Sequence, residues 1–97
     1  MKVRVSEASG PVLDWMVGMT GEYGCGFFST DWSAGGPIIE HHIFRLSDYD
    51  DPEDPGRWRA EGADGAEQYG PTALIAAMRA YVCSKLGEEV EVPDELA

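Results

Sequence analysis

"PTALIAAMRAYVCSKLG", Pro71 to Gly87, is the stretch that decides the fold. Its apolar residues recur every three or four positions, the spacing that lines one face of an α-helix. The pattern predicts a helix over 72–86, started by Pro71 or Thr72 and stopped by Gly87. The buried stripe of this helix is expected to contain Leu74, Ile75, Met78, Tyr81, Val82 and Leu86.

The two ends of the chain carry matching strand patterns. "KVRV", Lys2 to Val5, alternates cations with valines, and "EVEV", Glu89 to Val92, alternates carboxylates with valines. Such alternation is typical of a strand with one buried face. Placed side by side, the strands would share a core face and pair opposite charges outside, at about 0.2–1 kcal/mol per pair. We therefore expect the two strands to be neighbours.

A second helix is predicted early in the chain. Ser9 can cap it, Pro11 fits its first turn, and it should end near Thr20 or Gly21. Its core-facing residues are expected to be Val12, Leu13, Trp15, Met16 and Met19. Together these elements predict one domain over residues 1–97 of the α+β class, a small sheet with two helices packed on one face.

The middle of the chain mixes loop and strand signals. "GEYGCGFFSTDWSAGGP", Gly21 to Pro37, is rich in glycine and aromatic residues and is expected to be an ordered loop. "IIEHHIFRL", Ile38 to Leu46, is expected to be the central strand, with a bulge near His41 and His42 because neither face is purely polar. "RWRAE", Arg57 to Glu61, alternates and can pair with that strand as a hairpin.

Two polar segments separate these elements. Ser47 to Gly56 holds five acids and two prolines, and its acidic turn, residues 48–54, is expected to be exposed to solvent. It fails the calcium-loop pattern, which needs a glycine at the sixth position and a glutamate at the twelfth. Gly62 to Gly70 is expected to be a flexible connector.

The net charge limits the classes of partner. The chain carries 18 acidic and 7 basic residues, for a formal charge of −11. A negative field repels nucleic acid and anionic membranes, so binding to neither is expected. The charge is compatible with a basic protein partner, and it is equally compatible with a role in solubility alone. No apolar run resembles a signal peptide or a membrane span, and a cytoplasmic location is expected.

Motifs of catalysis and cofactor binding are missing from the sequence. There is no GxSxG, no phosphate-binding GxxxxGK[ST] and no HExxH, so no catalytic residue and no cofactor is predicted. His41 and His42 would point to opposite faces of a strand, which does not suit a shared metal ion. Cys25 and Cys83 form no CxxC pair, and Cys83 is expected to be a buried thiol.

One local feature does suggest a site. "GPT", Gly70 to Thr72, opens the strongest helix, and a helix N-terminus presents free N–H groups. If "TDWSAGGPIIE" folds over that end, Asp31 could cap the helix or the two segments could frame a pocket. The same stretch can instead be a structural corner fixed by its glycines and tryptophan. The candidate binding residues are Asp31, Trp32, Gly35, Gly36, Pro37, Glu40, Trp58 and Thr72.

Several blocks of the sequence resemble the NinX-like family of phage and prophage proteins. They are "LDW" at 13–15, "STDW" at 29–32, "GGPIIE" at 35–40, "WRA" at 58–60 and "GPTALIAAMRAYVCSKLGEEVEVPDEL" at 70–96. The resemblance implies a phage or prophage origin and expression in a bacterial cytoplasm. It supplies no catalytic residues.

Three functions are compatible with these observations. The first is a non-enzymatic accessory module that binds another protein. The alternative is a small-ligand-binding protein or small enzyme, with its site between the 30–40 segment and the N-terminus of the helix at Thr72. The third is an acidic mimic of DNA, which needs carboxylates in rows and is poorly matched by acids clustered in one turn and one terminus. The sequence leaves the oligomeric state open.

Overall fold

A computed structural model gives the fold of residues 1–51, 54–62 and 64–96, without the side chains of 49–51 and 54–56. Within these residues the chain forms three α-helices and two antiparallel sheets, which confirms the α+β class. The sequence predicted one sheet and two helices, so the predicted number of sheets and the predicted number of helices are both corrected. The elements are β1 (Lys2–Arg4), a 3-10 turn (Val5–Glu7), α1 (Gly10–Met19), α2 (Trp32–His42), β2 (Ile43–Asp51), β3 (Asp54–Gly62), β4 (Glu67–Gly70), α3 (Ala73–Leu86) and β5 (Glu89–Glu91).

The helix α3 is the centre of the core, as its sequence predicts. The hydroxyl of Thr72 accepts a hydrogen bond from the Ile75 N–H at 3.1 Å and caps the start. Gly87 ends the helix with φ of 94°, a conformation that favours glycine. The alanines between the large residues are also buried, so α3 is covered on most sides, although Leu86 reaches the surface. Its fully buried apolar residues are Ala76, Ala77, Met78, Ala80, Tyr81 and Val82.

The prediction that the terminal strands are neighbours is confirmed. Strands β1 and β5 pair antiparallel, with Val3 opposite Val90, Lys2 opposite Glu91 and Arg4 opposite Glu89. The valines share one face and the opposite charges share the other. This small sheet ties the two ends of the chain together across the core.

The helix α1 begins and ends where the sequence predicts. Ser9 occupies the N-cap position and Thr20 the C-cap position. Leu13, Met16 and Val17 are buried, but Met19, expected in the core, is 56% exposed. Only part of the predicted apolar stripe therefore faces the core.

The predicted strand over Ile38–Leu46 and the predicted loop before it are wrong over residues 32–42, because Trp32–His42 is the helix α2. The carboxylate of Asp31 accepts the Ser33 N–H at 2.9 Å and so caps this helix. Gly35 and Ile38 are both buried and lie one turn apart, which gives the segment a helical packing face. Packing outweighs the poor intrinsic helix propensity of the glycines and Pro37.

The predicted hairpin is confirmed, from Ile43 onward. Strands β2 and β3 pair antiparallel. The register of the pair shifts between Ile43 and Arg45 and between Tyr49 and Asp51, so the prediction of a bulge at the histidines is wrong. The expected flexible connector contains the strand β4, which adds to β3 as a third strand. The centre of the acidic turn lies outside the described residues. Within the described chain, no helix is long and apolar enough to cross a membrane.

Candidate functional site

The first turns of α2 and α3 can pack closely because Gly35 has no side chain. A Cβ atom on Gly35 would lie 2.5 Å from Leu74 Cδ1 and 2.8 Å from the Phe28 carbonyl oxygen. Only glycine fits this spacing, so the backbone of α2 can lie directly on Leu74 in the first turn of α3. Trp32, the first residue of α2, is thereby positioned beside the start of α3.

The sheet places a second tryptophan at the same point. Trp58 on β3 pairs with Gly70 on β4, and the chain then turns through Pro71 and Thr72 into α3. A Cβ on Gly70 would lie 2.9 Å from the Ala76 backbone nitrogen, so glycine again allows the close approach of strand and helix. The register of one strand pair therefore fixes Trp58 beside the same helix end.

An open groove of about 480 Å³ lies between these elements, here named the tryptophan groove. Its walls are apolar apart from three hydroxyl side chains. Trp32 is 56% exposed, which leaves this large apolar side chain available for contact. The groove is lined by Ser29, Thr30, Trp32, Trp58, Pro71, Thr72, Ala73, Leu74 and Ile75.

Some hydrogen-bond donors of residues that line the groove have no partner within the described chain. In the first turn of α3, the Ile75 N–H is bonded to the Thr72 hydroxyl and the Ala76 N–H to the Thr72 carbonyl. The N–H groups of Ala73 and Leu74 have no partner among the described residues, as expected for the first positions of a helix. The hydroxyl of Ser29, a residue only 2% exposed, also has no hydrogen-bond partner there.

The structure brings together three of the eight candidate residues. Trp32, Trp58 and Thr72 line the groove. Asp31 does not cap α3, as one interpretation expected, but caps its own helix α2. A hydrogen bond from the Ser33 hydroxyl, with the Ser33 N–H, lowers the pKa of the Asp31 carboxyl, which is therefore ionised at neutral pH.

The remaining candidates lie off the groove. Gly35 is buried beneath it as a packing residue, while Gly36, Pro37 and Glu40 follow along α2 and are not among the lining residues. The sequence interpretation missed Ser29, Thr30 and Pro71. Thr30 lies within "TDW" and Pro71 within "GPT", and Ser29 directly precedes "TDW". The signal for these three residues was that each lies within two residues of a helix N-cap.

A second groove of about 450 Å³ runs along α1 and is here named the α1 groove. It is more apolar than the tryptophan groove and displays Phe27 at 73% and Met19 at 56% exposure. The sequence interpretation missed it because these residues were assigned to the core or to a loop. Its lining consists of Pro11, Asp14, Trp15, Gly18, Met19, Gly24, Cys25, Gly26, Phe27 and Leu96.

A polar cluster joins the other ends of the helices. The Tyr81 hydroxyl lies 2.8 Å from Thr20 Oγ1 and donates to Glu22 Oε1 at 3.2 Å, and burial raises the pKa of Tyr81 to about 12. Lys85 Nζ lies 3.0 Å from Glu22 Oε1, and His42 Nε2 lies 3.4 Å from Glu22 Oε2. The Glu22 carboxylate therefore bridges α3 and α2, and the Tyr81 hydroxyl links it to Thr20 at the end of α1.

This cluster makes stability depend on pH. The hydrogen bond from Lys85, followed by that from Tyr81, lowers the pKa of Glu22 from its ordinary value of 4.5. A carboxyl with a lowered folded pKa stabilises the protein above its unfolded pKa, and the contribution is lost as pH falls through the folded value. We expect Glu22→Gln to lower the melting temperature at neutral pH, with the difference from native shrinking as pH falls below 4.5 and through the lower folded pKa.

Thermal unfolding followed by circular dichroism across this pH range checks the expectation. Glu40→Gln is the matched control, because Glu40 is exposed and makes no hydrogen bond or ion pair within the described chain. A constant difference between native and Glu22→Gln at all pH values would contradict the assigned role of Glu22.

The residues described here give no group of three or more histidine, cysteine, aspartate or glutamate side chains able to hold a metal ion. The fold and its grooves define a small α+β domain with an open, tryptophan-lined groove at the N-terminal ends of two helices. The family model for Bacteriophage P22, NinX, matches residues 21–85, and the chain belongs to this phage protein family. The search of curated proteins found no match.

The segment that the family model matches contains the whole lining of one groove but only part of the lining of the other. All residues that line the tryptophan groove lie inside 21–85. The α1 groove takes six of its ten lining residues from outside the segment, namely Pro11, Asp14, Trp15, Gly18, Met19 and Leu96.

Proposed function

We propose that this phage-family protein is a non-enzymatic interaction module that holds a segment of a basic host or phage protein in the tryptophan groove. The observation that carries the proposal is the exposed Trp32 facing a groove with Trp58 and the first turn of α3. Tryptophan is strongly enriched among the residues that dominate binding energy at protein interfaces, because it buries a large area with few rotatable bonds.

The lining chemistry supports a binding role. Apolar walls with a few placed polar groups are typical of recognition sites, where the walls supply burial and the polar groups fix orientation. Here the walls are the two tryptophans, Pro71 and Ile75, and the polar groups are hydroxyls and helix N–H groups. The groove is open to solvent, so a segment of another protein can enter it.

The charge of the surface supports a basic partner. With a formal charge of −11, the chain attracts cationic proteins and accelerates their encounter at low ionic strength. Salt screens this electrostatic attraction, which decays over about 8 Å at physiological ionic strength. Long-range attraction would come from the acidic surface and short-range contact from the groove.

Truncating Trp32 is the direct test of this function. We expect Trp32→Ala to weaken partner binding by at least about tenfold, since truncation of a central interface tryptophan costs about 2 kcal/mol or more. The variant should fold normally because the side chain is 56% exposed. The measurement is capture from bacterial lysate on immobilised protein at rising salt, followed by affinity measurement with the purified partner.

Phe44→Ala is the matched control. Phe44 is an aromatic residue with 74% exposure on β2 and is not among the residues that line the groove. A partner held by native protein and by Phe44→Ala, but lost by Trp32→Ala, is the expected result. Equal capture by all three proteins would remove the groove from the interaction, and an absence of any specific partner would count against the module itself.

A small ligand is the second candidate occupant of the groove. The volume of about 480 Å³ lies in the range of small-molecule sites, roughly 300–1,000 Å³. This alternative predicts a compound that raises the melting temperature of native protein and of Phe44→Ala, but not of Trp32→Ala. It gains weight if lysate capture recovers no protein.

A further inference from the structure

We propose that the bound segment is the C-terminal end of the partner, with its free α-carboxylate on the first turn of α3 and its last apolar side chain against Trp32 and Trp58. This inference rests on the proposed function and specifies the chemistry that the groove recognises. It places a carboxylate subsite at the first turn of α3 and an apolar subsite at Trp32 and Trp58.

The carboxylate subsite is the N-terminus of α3. The N–H groups of Ala73 and Leu74 are unpaired among the described residues, and both residues line the groove. The Thr72 hydroxyl already satisfies Ile75, so the side chain that caps the helix does not cover these two donors. The aligned peptide dipoles of a 14-residue helix add a partial positive charge at the same point.

A second and independent observation is the hydroxyl of Ser29. This residue lines the groove, is 2% exposed, and its Oγ has no hydrogen-bond partner in the described part of the chain. Its backbone N–H is held by Asp14 Oδ1 at 2.7 Å, which fixes the position of the residue. A buried hydroxyl without a partner is unfavourable unless something binds it, and an acceptor placed on the α3 N–H groups would supply that partner.

A chain end fits these subsites better than an acidic side chain does. In a C-terminal residue the carboxylate and the side chain are attached to the same carbon atom, so one residue fills both the polar and the apolar subsite. An aspartate or glutamate carries its carboxylate on the side chain and has no apolar group left for the tryptophans. Basic residues upstream of the chain end would contact the acidic surface, so the local anion site agrees with a cationic partner.

The experiment compares three probes by ¹H–¹⁵N NMR titration of the full chain. N-acetyl-leucine carries a chain-end carboxylate, N-acetyl-leucinamide lacks it, and N-acetyl-aspartic acid α-amide carries a carboxylate on its side chain. We expect N-acetyl-leucine to bind at least about fivefold more tightly than either other probe, with shifts at the Ala73 and Leu74 amides and the Trp32 indole.

Ser29→Ala supplies a second measurement. Removing an unpartnered buried hydroxyl should leave the melting temperature of the free protein unchanged or raised, and it should reduce the preference for the carboxylate over the amide. Equal binding of N-acetyl-leucine and its amide at the groove overturns the carboxylate subsite and leaves the interaction module intact. Equal binding of the aspartate probe overturns the chain-end assignment, and failure of all three probes overturns the inference, whereas Trp32→Ala capture tests the module separately.

Discussion

Replacing Arg79 by methionine is expected to lower the free energy of unfolding by about 3 kcal/mol. Arg79 lies on α3 and is only 8% exposed. Its Nε donates to the Ala8 carbonyl at 2.8 Å and its Nη1 donates to the Tyr69 carbonyl at 2.7 Å. One guanidinium therefore joins the central helix to the segment before α1 and to β4, and methionine keeps the apolar stem but removes both bonds.

The same substitution at Arg59 is the control. Arg59 Nη2 pairs with Glu67 Oε2 at 2.8 Å, but both side chains are about one-third exposed. Exposed ion pairs contribute about 0–1 kcal/mol, so Arg59→Met should cost far less than Arg79→Met. Denaturation in urea followed by tryptophan fluorescence measures both. Arg79→Met with native stability would show that burial of the charge costs as much as its two hydrogen bonds contribute.

Gly35→Ala is expected to lower the free energy of unfolding by about 2 kcal/mol. Alanine is a better helix former than glycine by about 1 kcal/mol, so the expected loss opposes the intrinsic preference. The reason is steric, because the new Cβ would lie 2.8 Å from the Phe28 carbonyl oxygen as well as 2.5 Å from Leu74 Cδ1. A leucine methyl can move, but the backbone carbonyl oxygen cannot move without shifting the turn before α2.

Gly36→Ala is the matched variant on the same helix. A Cβ at Gly36 meets nothing within 4 Å beyond its chain neighbours. The gain in helix propensity is offset by the restriction on a residue that precedes proline, so a change within about 1 kcal/mol is expected. The same urea denaturation compares the pair. Equal stability of Gly35→Ala and Gly36→Ala would contradict the close packing of α2 on α3.

Local pattern and charge were sufficient to predict part of this fold. The helix α3 has a threonine cap, a regular apolar spacing and a glycine stop, and each of these signals lies within the helix or next to it. The pairing of β1 with β5 connects distant residues, but it could be predicted because two alternating segments carried complementary charges. The signals for these elements lie in their own residues, so they can be predicted from a single sequence.

The helix α2 could not be predicted in this way. Its two glycines and Pro37 disfavour a helix locally, and Ile38 to Leu46 alternates well enough to suggest a strand. What stabilises the helix is the fit of Gly35 against Leu74 and Phe28, residues that become neighbours only in the folded chain. The strand β4 was missed for a similar reason, since its pairing with β3 is a property of the sheet and not of its four residues.

The sequence predicted that the 30–40 segment and the start of α3 are close together, but it named only three of the nine residues that line the groove there. The suggestion that the 30–40 segment meets the start of α3 agrees with the position of Trp32, Trp58 and Thr72 around one groove. The prediction that Asp31 could cap α3 assumed that Asp31 lies in a loop. Asp31 is instead the N-cap of α2, where its carboxylate accepts the Ser33 N–H. The unpaired Ser29 hydroxyl is a tertiary feature that no spacing in the sequence announces.

The most direct test of the tryptophan groove is an NMR map of the complex with the captured partner. Purified partner is titrated into ¹⁵N-labelled protein, and the perturbed signals are assigned to the two grooves. The account predicts that the indole signals of Trp32 and Trp58 and the amides of Ala73 and Leu74 change first and most. Perturbation confined to Met19, Phe27 and the rest of the α1 groove would contradict it.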